Sequence, residues 1–291
     1  MIRTLGAGLL ALSLLGCSDP RETALSVNGN NSQIDVSDDI GPVLRYQILP
    51  PDSREPWRAN YLHPVFTPDG VAITENAPAD HIHHRGIFWS WRGVFIEGKS
   101  VGDAWIGEHI SYTPTSQSYG LQPDGSVRIE TGTLWHTDIA GQAANFLREE
   151  TIVAVWPVEV DGSRRLHLRV ALTALVPGVS LAGSDNEKGY GGLSFRLGRA
   201  DQMDIASDGQ KLIATPEPVQ SGDRVEFIFR APPAGWPSAI SIGCTVNGKP
   251  WHNWILRQES SMQNCAWPGR NPAPISMDTA TVLEADLIIR H

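Results

Sequence analysis

Apolar and polar residues alternate with a period of two along several segments of this chain. In residues 126–131, Val127 and Ile129 fall on one face and polar side chains on the other, as in a half-buried β-strand. Residues 165–172 repeat this alternation, whereas residues 151–156 are continuously apolar or β-branched and predict a strand covered on both faces. Further strands are predicted at residues 225–229, 239–244 and 281–289.

Turn-forming residues separate the predicted strands. The Asp-Gly-Ser sequence at residues 161–163 lies between two of them and predicts a hairpin. Pro-Asp-Gly at residues 68–70 and 123–125 predicts tight turns, and no long stretch shows a helical period between good caps. We therefore predict an all-β fold, with residues 42–291 forming one large antiparallel β-sandwich without repeats or an internal linker.

The N-terminus has the features of an export signal. Residues 1–16 combine Arg3 with an apolar stretch that spans about 18 Å as a helix, too short to cross a hydrocarbon core of about 30 Å. Leu-Leu-Gly before Cys17 resembles a bacterial lipobox, in which the cysteine is lipidated and becomes the first mature residue; the alternative is an ordinary secretory signal. Ser18 after the cysteine implies sorting to the outer membrane in lipoproteins. We predict a lipid-anchored, periplasm-facing or outer-membrane protein of the cell envelope, with residues 17–41 as a polar tether without core contacts.

Composition and charge narrow the classes of function. The chain of 291 residues is 41% hydrophobic and 19% charged, which supports a packed core and argues against a disordered chain. Its formal net charge of −9 argues against nucleic acid as a partner, because phosphates must be neutralised by cations. The ten tryptophans are expected mainly in the core, although aromatic platforms also line sugar clefts.

Two cysteines, Cys244 and Cys265, remain after the lipobox. An oxidising compartment permits a disulfide between them, which would stabilise the fold by about 3 kcal/mol in the chain-entropy model. The sequence leaves open whether their Cα atoms come within reach.

The candidate chemistry is concentrated in residues 80–86, Asp-His-Ile-His-His-Arg-Gly. On an extended strand, His81 and His83 would point to one face about 7 Å apart. Imidazoles at this spacing can ligate Zn, Fe or Cu, and the alternatives are a metal-free polar site or structural histidines. The cofactor is thus unknown, with a divalent metal at this pair as one option. A third ligand would come from His63, Glu108 or His109.

Two further clusters carry polar and aromatic residues. In residues 186–196, glycines permit close approach of a ligand, and Lys188, Tyr190 and Arg196 supply donors for hydroxyl or carboxylate groups. The alternative is a glycine-rich entry into a sheet. Residues 251–257 and 265–269 combine tryptophans with polar side chains, and there a packed aromatic core is favoured.

The sequences of residues 61–70, 80–86 and 188–196 resemble the PmoA-like family of bacterial exported proteins, often labelled "methane oxygenase PmoA". The resemblance runs from about residue 42 to the C-terminus, and the family commonly has proline where Ile82 stands. The label does not fit, because a particulate methane monooxygenase subunit spans the membrane several times, which the apolar pattern here does not predict. The resemblance implies a supersandwich similar to galactose-mutarotase-like proteins and a setting in sugar catabolism.

Two functions of different class follow from these residues. The first is an exported enzyme, of epimerase, lyase or hydrolase type, that acts on a carbohydrate or sugar-derived substrate through a histidine-rich cleft. The second is a non-catalytic, glycan-binding surface lipoprotein. In the enzyme, one of the histidines would act as general acid/base and the arginines and lysine would steady an oxyanion. The candidate catalytic residues are His81, His83, Glu108 and Glu187, and the candidate substrate-binding residues are His63, Asp80, His84, Arg85, Lys188, Tyr190 and Arg196.

Overall fold

The computed structural model describes residues 24–139, 141, 145–198, 202–258 and 262–290. Within these residues the chain forms 23 strands and no helix. The described part of the chain therefore contains no helix that is long and apolar enough to span a membrane. The predicted signal peptide and Cys17 lie outside the described residues.

The first twelve strands are β1 (Ser26–Gly29), β2 (Gln33–Ser37), β3 (Pro42–Gln47), β4 (Tyr61–Val65), β5 (Ile87–Trp91), β6 (Gly93–Ile96), β7 (Lys99–Gly102), β8 (Ile110–Leu121), β9 (Val127–Thr137), β10 (Asn145–Val155), β11 (Arg164–Ala174) and β12 (Val179–Ala182). The others are β13 (Gly191–Arg196), β14 (Met203–Ser207), β15 (Gln210–Lys211), β16 (Val219–Gln220), β17 (Val225–Phe229), β18 (Ala239–Val246), β19 (Lys249–Pro250), β20 (Asn253–Ile255), β21 (Met262–Ala266), β22 (Ala273–Pro274) and β23 (Thr281–Arg290).

The described strands form three antiparallel sheets. The nine-stranded sheet has the order β1-β2-β3-β4-β5-β13-β21-β20-β16. The ten-stranded sheet has the order β15-β14-β17-β18-β23-β11-β10-β9-β8, with β19 paired to β18. The four-stranded sheet has the order β22-β12-β6-β7. The predicted all-β antiparallel fold is therefore confirmed.

The core lies between the two large sheets, and the alternating strands supply it. Along β23, buried and half-buried residues alternate without exception, as expected for a strand with one face on the core. Trp91 of β5 contacts Trp135 of β9 across the interface, with ring centroids 5.9 Å apart. Each of the six predicted strands is present, and β17 has the predicted bounds. The tryptophans lie mostly in this core, as predicted.

A disulfide joins the two large sheets. Cys244 lies on β18 of the ten-stranded sheet and Cys265 on β21 of the nine-stranded sheet, with their Cα atoms 6.6 Å apart. Both residues are buried among apolar side chains. The pairing that the sequence left open is thus present.

The predicted tether at residues 17–41 is wrong over its second half. Strands β1 and β2 lie within it, and Ile34 and Val36 are fully buried in the core. Asp38 forms an ion pair with Arg164 at the start of β11, and each side chain is only 2% exposed. Polar residues alternate with apolar ones in this segment, and the polar ones lie on the outward face. The high polar content therefore predicted a tether although the inward residues belong to the core. The folded domain therefore includes this segment and does not start at residue 42.

Candidate functional site

The outer face of the nine-stranded sheet carries the candidate site. Along β5, Trp89 and Trp91 pack into the main core, whereas Phe88 points to the opposite face. There Phe88 joins Tyr61 and Trp105 in a second, smaller apolar cluster that is covered by loops. This layer forms the floor on which the histidine-rich segment lies.

The histidine segment is a tight turn, and the prediction of an extended strand is wrong. The amide of His81 donates to the carbonyl of Pro78 at 2.9 Å, and the amide of His84 donates to the carbonyl of His81 at 3.0 Å. The turn brings three imidazoles together. The rings of His81 and His84 stack with centroids 4.6 Å apart, and the ring of His83 lies edge-on to that of His84 at 4.7 Å.

Arg85 and Gly86 hold this turn against the sheet. Gly86 has a φ of 57°, and a Cβ there would lie 2.0 Å from the carbonyl oxygen of Leu62, so only glycine fits. Arg85 is 1% exposed, with its guanidinium 4.7 Å from the Phe88 ring centre. Its Nη1 donates to the carbonyl of His83 at 3.3 Å. The structure therefore places Arg85 beneath the turn and outside the lining of the histidine cavity, and its role in substrate binding stays a prediction.

A cavity of about 290 Å³ opens beside the three rings. Five of its lining residues were predicted from sequence: His81, His83, His84, Lys188 and Tyr190. The other five come from three places in the chain. Trp105 lies in the loop before β8, Ile255 and Arg257 lie at and after the end of β20, and Met262 and Asn264 lie on β21. We call this space the histidine cavity.

Asp80 orients His81. The Nδ1–H of His81 donates to Oδ2 of Asp80 at 2.8 Å. The proton is assigned to Nδ1 because an ionised carboxylate can only accept a hydrogen bond. Nη2 of Arg196 donates to both oxygens of Asp80 at 3.1 Å, and its Nε donates to Glu75 at 2.9 Å. The hydrogen bond from His81, and then the charge of Arg196, lower the pKa of Asp80 to about 2. With Nδ1 bound in this way, Nε2 of His81 is the nitrogen left to accept a proton.

Asp80 and Arg196 lie behind His81. Arg196 is 5% exposed, the Asp80 side chain is 46% exposed, and neither residue lines the histidine cavity. Asp80 positions His81, as a carboxylate commonly does for a functional histidine, and the predicted contact of both residues with substrate stays a prediction.

The two remaining histidines of the turn are held neutral. Burial is the largest cause that lowers the pKa of His83 to about 4, followed by the charges of His81 and Arg85. Burial also lowers the pKa of His84 to about 3, with His83 as the next cause. Both rings are therefore uncharged hydrogen-bonding groups at neutral pH.

His63 does not line the cavity. Its Nδ1 lies 3.0 Å from Oγ1 of Thr74, and burial, followed by nearby arginines, lowers its pKa to about 4. His63 is thus packed within β4 away from the cavity, and its role in substrate binding stays a prediction.

The histidine cavity is positively charged. Lys188 and Arg257 line it, and no acidic side chain of the described residues does. The Nη1 of Arg257 donates to the carbonyls of Thr215 at 2.6 Å and Leu256 at 2.7 Å, and within the described part of the chain no carboxylate forms an ion pair with it. Such a site favours a ligand with a carboxylate or with an oxygen that develops negative charge.

Glu108 and Glu187 do not belong to this site. Both are exposed and neither lines the histidine cavity. The backbone of Glu108 pairs with that of Asp103 in a short bridge, which leaves its side chain in solvent. The structure therefore brings neither carboxylate to the histidine turn, and their partnership with a catalytic histidine stays a prediction.

The predicted metal pair was His81 and His83. Among the described residues, no group of three or more histidine, cysteine or acidic side chains is placed to hold a metal ion. The rings of His81 and His83 lie at 83° to each other, with centroids 5.8 Å apart. Asp80 also occupies Nδ1 of His81. The predicted metal pair, His81 and His83, thus lacks a third ligand within the described part of the chain.

Comparison with known proteins shows the family of this chain. A model of a family of unknown function, DUF6807, matches residues 33–289. The chain belongs to DUF6807. The match begins within β2, in agreement with a domain that includes the N-terminal strands. The description of DUF6807 does not mention the PmoA-like family, so that resemblance stays a prediction.

Other comparisons of this DUF6807 chain are weaker. A search of the curated proteins finds no match. Among solved structures, galactose 1-epimerase from Lactobacillus acidophilus NCFM is similar at 9% identity, covering 92% of this chain and 98% of that chain with a TM-score of 0.38. A likeness at this TM-score carries no argument about activity.

Several functional positions of this DUF6807 chain have no local signal in the sequence. Asn264 is an example: its Nδ2 donates to the carbonyls of Gly191 and Leu193 at 3.1 and 2.9 Å, which fixes the wall of the cavity. Arg257 falls in the cluster that was interpreted as an aromatic core. Trp105 is a single aromatic residue in a loop. The pairing of β21 with β13 and β20 brings Asn264 and Arg257 to the histidine turn.

Proposed function

We propose that this protein is a carbohydrate-active enzyme that moves a proton on a sugar-derived substrate bound in the histidine cavity. The observation that carries the proposal is the pair of Asp80 and His81, joined at 2.8 Å beside a cavity with two cations and no lining carboxylate among the described residues. A histidine held by a carboxylate is a common general acid/base.

The charges suggest which proton is moved. Nε2 of His81 would accept the hydrogen from a carbon next to a carbonyl or carboxylate group of the sugar. The C–H electron pair passes into that group, and Lys188 and Arg257 would stabilise the resulting negative oxygen. In an epimerase, the proton then returns to carbon. In a lyase, the electron pair forms a carbon–carbon double bond, the bond from the next carbon to its oxygen substituent breaks, and the departing oxygen takes the proton from His81.

A hydrolase of the usual kind is the weakest of the three predicted reactions. Most glycoside hydrolases use two carboxyl groups that flank the scissile bond. The described residues place none in the histidine cavity, and Glu108 and Glu187 are exposed outside it. The proposal is therefore an epimerase or a lyase.

Non-catalytic binding of a glycan is the second candidate. Tyr190 presents a half-buried aromatic ring to the cavity, and this ring packs on the buried Trp105 with centroids 4.8 Å apart. Aromatic rings pack against the C–H faces of sugars, and this contact needs no proton transfer.

Solvent exchange separates the two candidates. The protein is incubated in D₂O with methyl glycosides of uronic acids, keto sugars and neutral hexoses, and ¹H NMR follows deuterium entering the carbon next to the carboxylate or carbonyl. We expect exchange with an oxidised sugar, and a loss of about 100-fold or more in His81→Asn. His109→Asn is the matched control, because His109 also pairs with a carboxylate, Asp138, at 2.6 Å, but lies outside the cavity.

Each result decides between the candidates. Binding of a sugar without exchange in the wild-type protein supports the glycan-binding module. Equal exchange in His81→Asn and in the wild-type protein contradicts the role of His81. Absence of both binding and exchange across the panel overturns both candidates.

We further propose that the protein is exported and anchored through a lipid on Cys17. The lipobox-like sequence supports this proposal, and so does the disulfide, which is typical of oxidising compartments. Cys17→Ser should move the protein from the detergent phase to the aqueous phase in Triton X-114 partitioning. Unchanged partitioning of that variant overturns the anchor.

A further inference from the structure

A second, larger cavity lies next to the histidine cavity. It has a volume of about 780 Å³, within the range of about 300–1,000 Å³ that is usual for ligand sites. Its lining includes Phe95 of β6, Ser100 of β7, Asn186 and Arg270. None of these residues takes part in the proposed proton transfer. We call this space the second cavity.

Tyr190 is the boundary between the two cavities, and it lines both. Its ring packs on Trp105 on one side, and its hydroxyl accepts a hydrogen bond from Nη1 of Arg92 at 3.0 Å on the other. Arg92 is itself ion-paired with Asp103 at 2.5 Å. Tyr190 is therefore held in place where the two cavities adjoin.

The second cavity differs from the histidine cavity in charge. Its two arginines are each paired with a carboxylate, Arg92 with Asp103 and Arg270 with Asp185 at 2.8 Å. The rest of the polar lining consists of hydroxyl, amide and backbone groups. This lining suits the hydroxyl groups of a neutral sugar, whereas Lys188 and Arg257 suit a charged one.

An aromatic ring forms part of the floor of the second cavity. Along β6, Val94 and Ile96 are buried and Phe95 points to the opposite face, where it is half-buried. Phe95 pairs directly with Ser100 across β6 and β7, so ring and hydroxyl stand side by side. A Cβ at position 93 would lie 2.7 Å from Cε2 of Phe95, and Gly93 therefore leaves room for the ring. A flat ring beside hydroxyl and amide groups can pack against the C–H face of a pyranose.

We infer that the second cavity binds the adjoining sugar of a glycoside whose reacting unit occupies the histidine cavity. The substrate is then a disaccharide or longer glycan rather than a free monosaccharide. This inference rests on the proposed function and extends it to the class of substrate.

Chain length tests the inference. Isothermal titration calorimetry compares the methyl glycosides of glucose, galactose, glucuronic acid and galacturonic acid with disaccharides that end in the same units. We expect the best disaccharide to bind at least tenfold more tightly than its monosaccharide. In Phe95→Ala this ratio of dissociation constants should fall toward one.

A second variant blocks the cavity. Ser100→Trp places a large ring beside Phe95 and should also remove the gain from the second sugar. Lys99→Trp is the matched control, because Lys99 is the exposed neighbour on β7 that does not line the cavity. Circular dichroism and thermal unfolding establish that each variant is folded.

The outcomes distinguish this inference from the proposed function. A monosaccharide that binds as tightly as every disaccharide overturns the second cavity as a subsite and leaves the proposed function standing. A gain that survives in folded Phe95→Ala and Ser100→Trp also overturns it. Absence of binding by any sugar of this panel, and by the keto sugars added to it, overturns the proposed function together with the inference.

Discussion

Replacing Asp38 by alanine should destabilise the fold by about 3–5 kcal/mol, because it leaves a buried guanidinium without its counter-charge. Asp38 and Arg164 form an ion pair in which each side chain is only 2% exposed. Oδ1 of Asp38 also accepts hydrogen bonds from the amides of Ile40 and Gly41 at 2.9 and 3.0 Å. Each of these bonds contributes about 0.5–1.5 kcal/mol, so the upper half of the range is expected.

An exposed ion pair on β2 and β3 provides a matched control for the buried pair of Asp38 and Arg164. Asp35 of β2 pairs with Arg45 of β3 at 2.6 Å, but the side chains are 39% and 41% exposed. Solvent screens an exposed pair of this kind, and Asp35→Ala should cost less than about 1 kcal/mol. The two variants therefore differ in burial while they share the chemistry and the segment of the chain.

Urea unfolding followed by tryptophan fluorescence measures both variants. With a slope of up to about 3 kcal/mol per molar urea, Asp38→Ala should lower the midpoint by about 1 M or more. Replacing both partners, Asp38→Leu with Arg164→Met, should recover part of the loss, because no buried charge is then left unpaired. An Asp38→Ala midpoint no lower than that of Asp35→Ala would refute the reasoning and restore the view of this segment as a tether.

Three further measurements test the fold around the site. Removing the disulfide by Cys244→Ala with Cys265→Ala should cost about 3 kcal/mol in urea unfolding, since the bridge closes a loop of 21 residues, and a loss under about 1 kcal/mol would contradict this. Gly86→Ala should lower the melting temperature and abolish sugar binding. Gly70→Ala is the control, because Gly70 has a φ of 81° and nothing lies within 4 Å of the added Cβ, and it should show only the backbone cost of about 1–2 kcal/mol. Burial lowers the pKa of His84 from 6.5 to about 3, so the folded state binds this proton less readily than the unfolded chain, and stability should fall as the pH drops from about 6.5 toward 3. His84→Gln should reduce that slope, and an equal slope in the variant would argue against a buried neutral imidazole.

The sequence by itself determined six of the described strands of the sandwich. Burial along β23 alternates residue by residue, and over residues 283–287 the same alternation is visible in the printed sequence as apolar and polar letters. A strand exposes successive side chains to opposite faces, so this information is local to a few residues. The same rule applied to β2 would have identified Ile34 and Val36 as core residues, which the polar composition of the segment concealed.

The sequence also identified the chemistry of the histidine segment, but not its geometry. His81 and His83 were expected on one face of a strand, and the structure stacks His81 on His84 instead. The turn depends on hydrogen bonds to Pro78 and on the close approach of Gly86 to Leu62, a residue of another strand. Contacts of this kind are absent from any local pattern, so the spacing of the histidines alone could not predict the arrangement of their rings.

Only the tertiary structure decided which charged residues share the site. Glu108 and Glu187 are as suitable for acid/base chemistry in the sequence as Asp80, yet they lie exposed outside the cavity. Arg257 enters the cavity through the pairing of β20 with β21 and of β21 with β13, between segments far apart in the chain. Residue type and spacing are properties of the chain, whereas the proximity of side chains from different strands depends on sheet order and register, which form only when the whole sandwich packs.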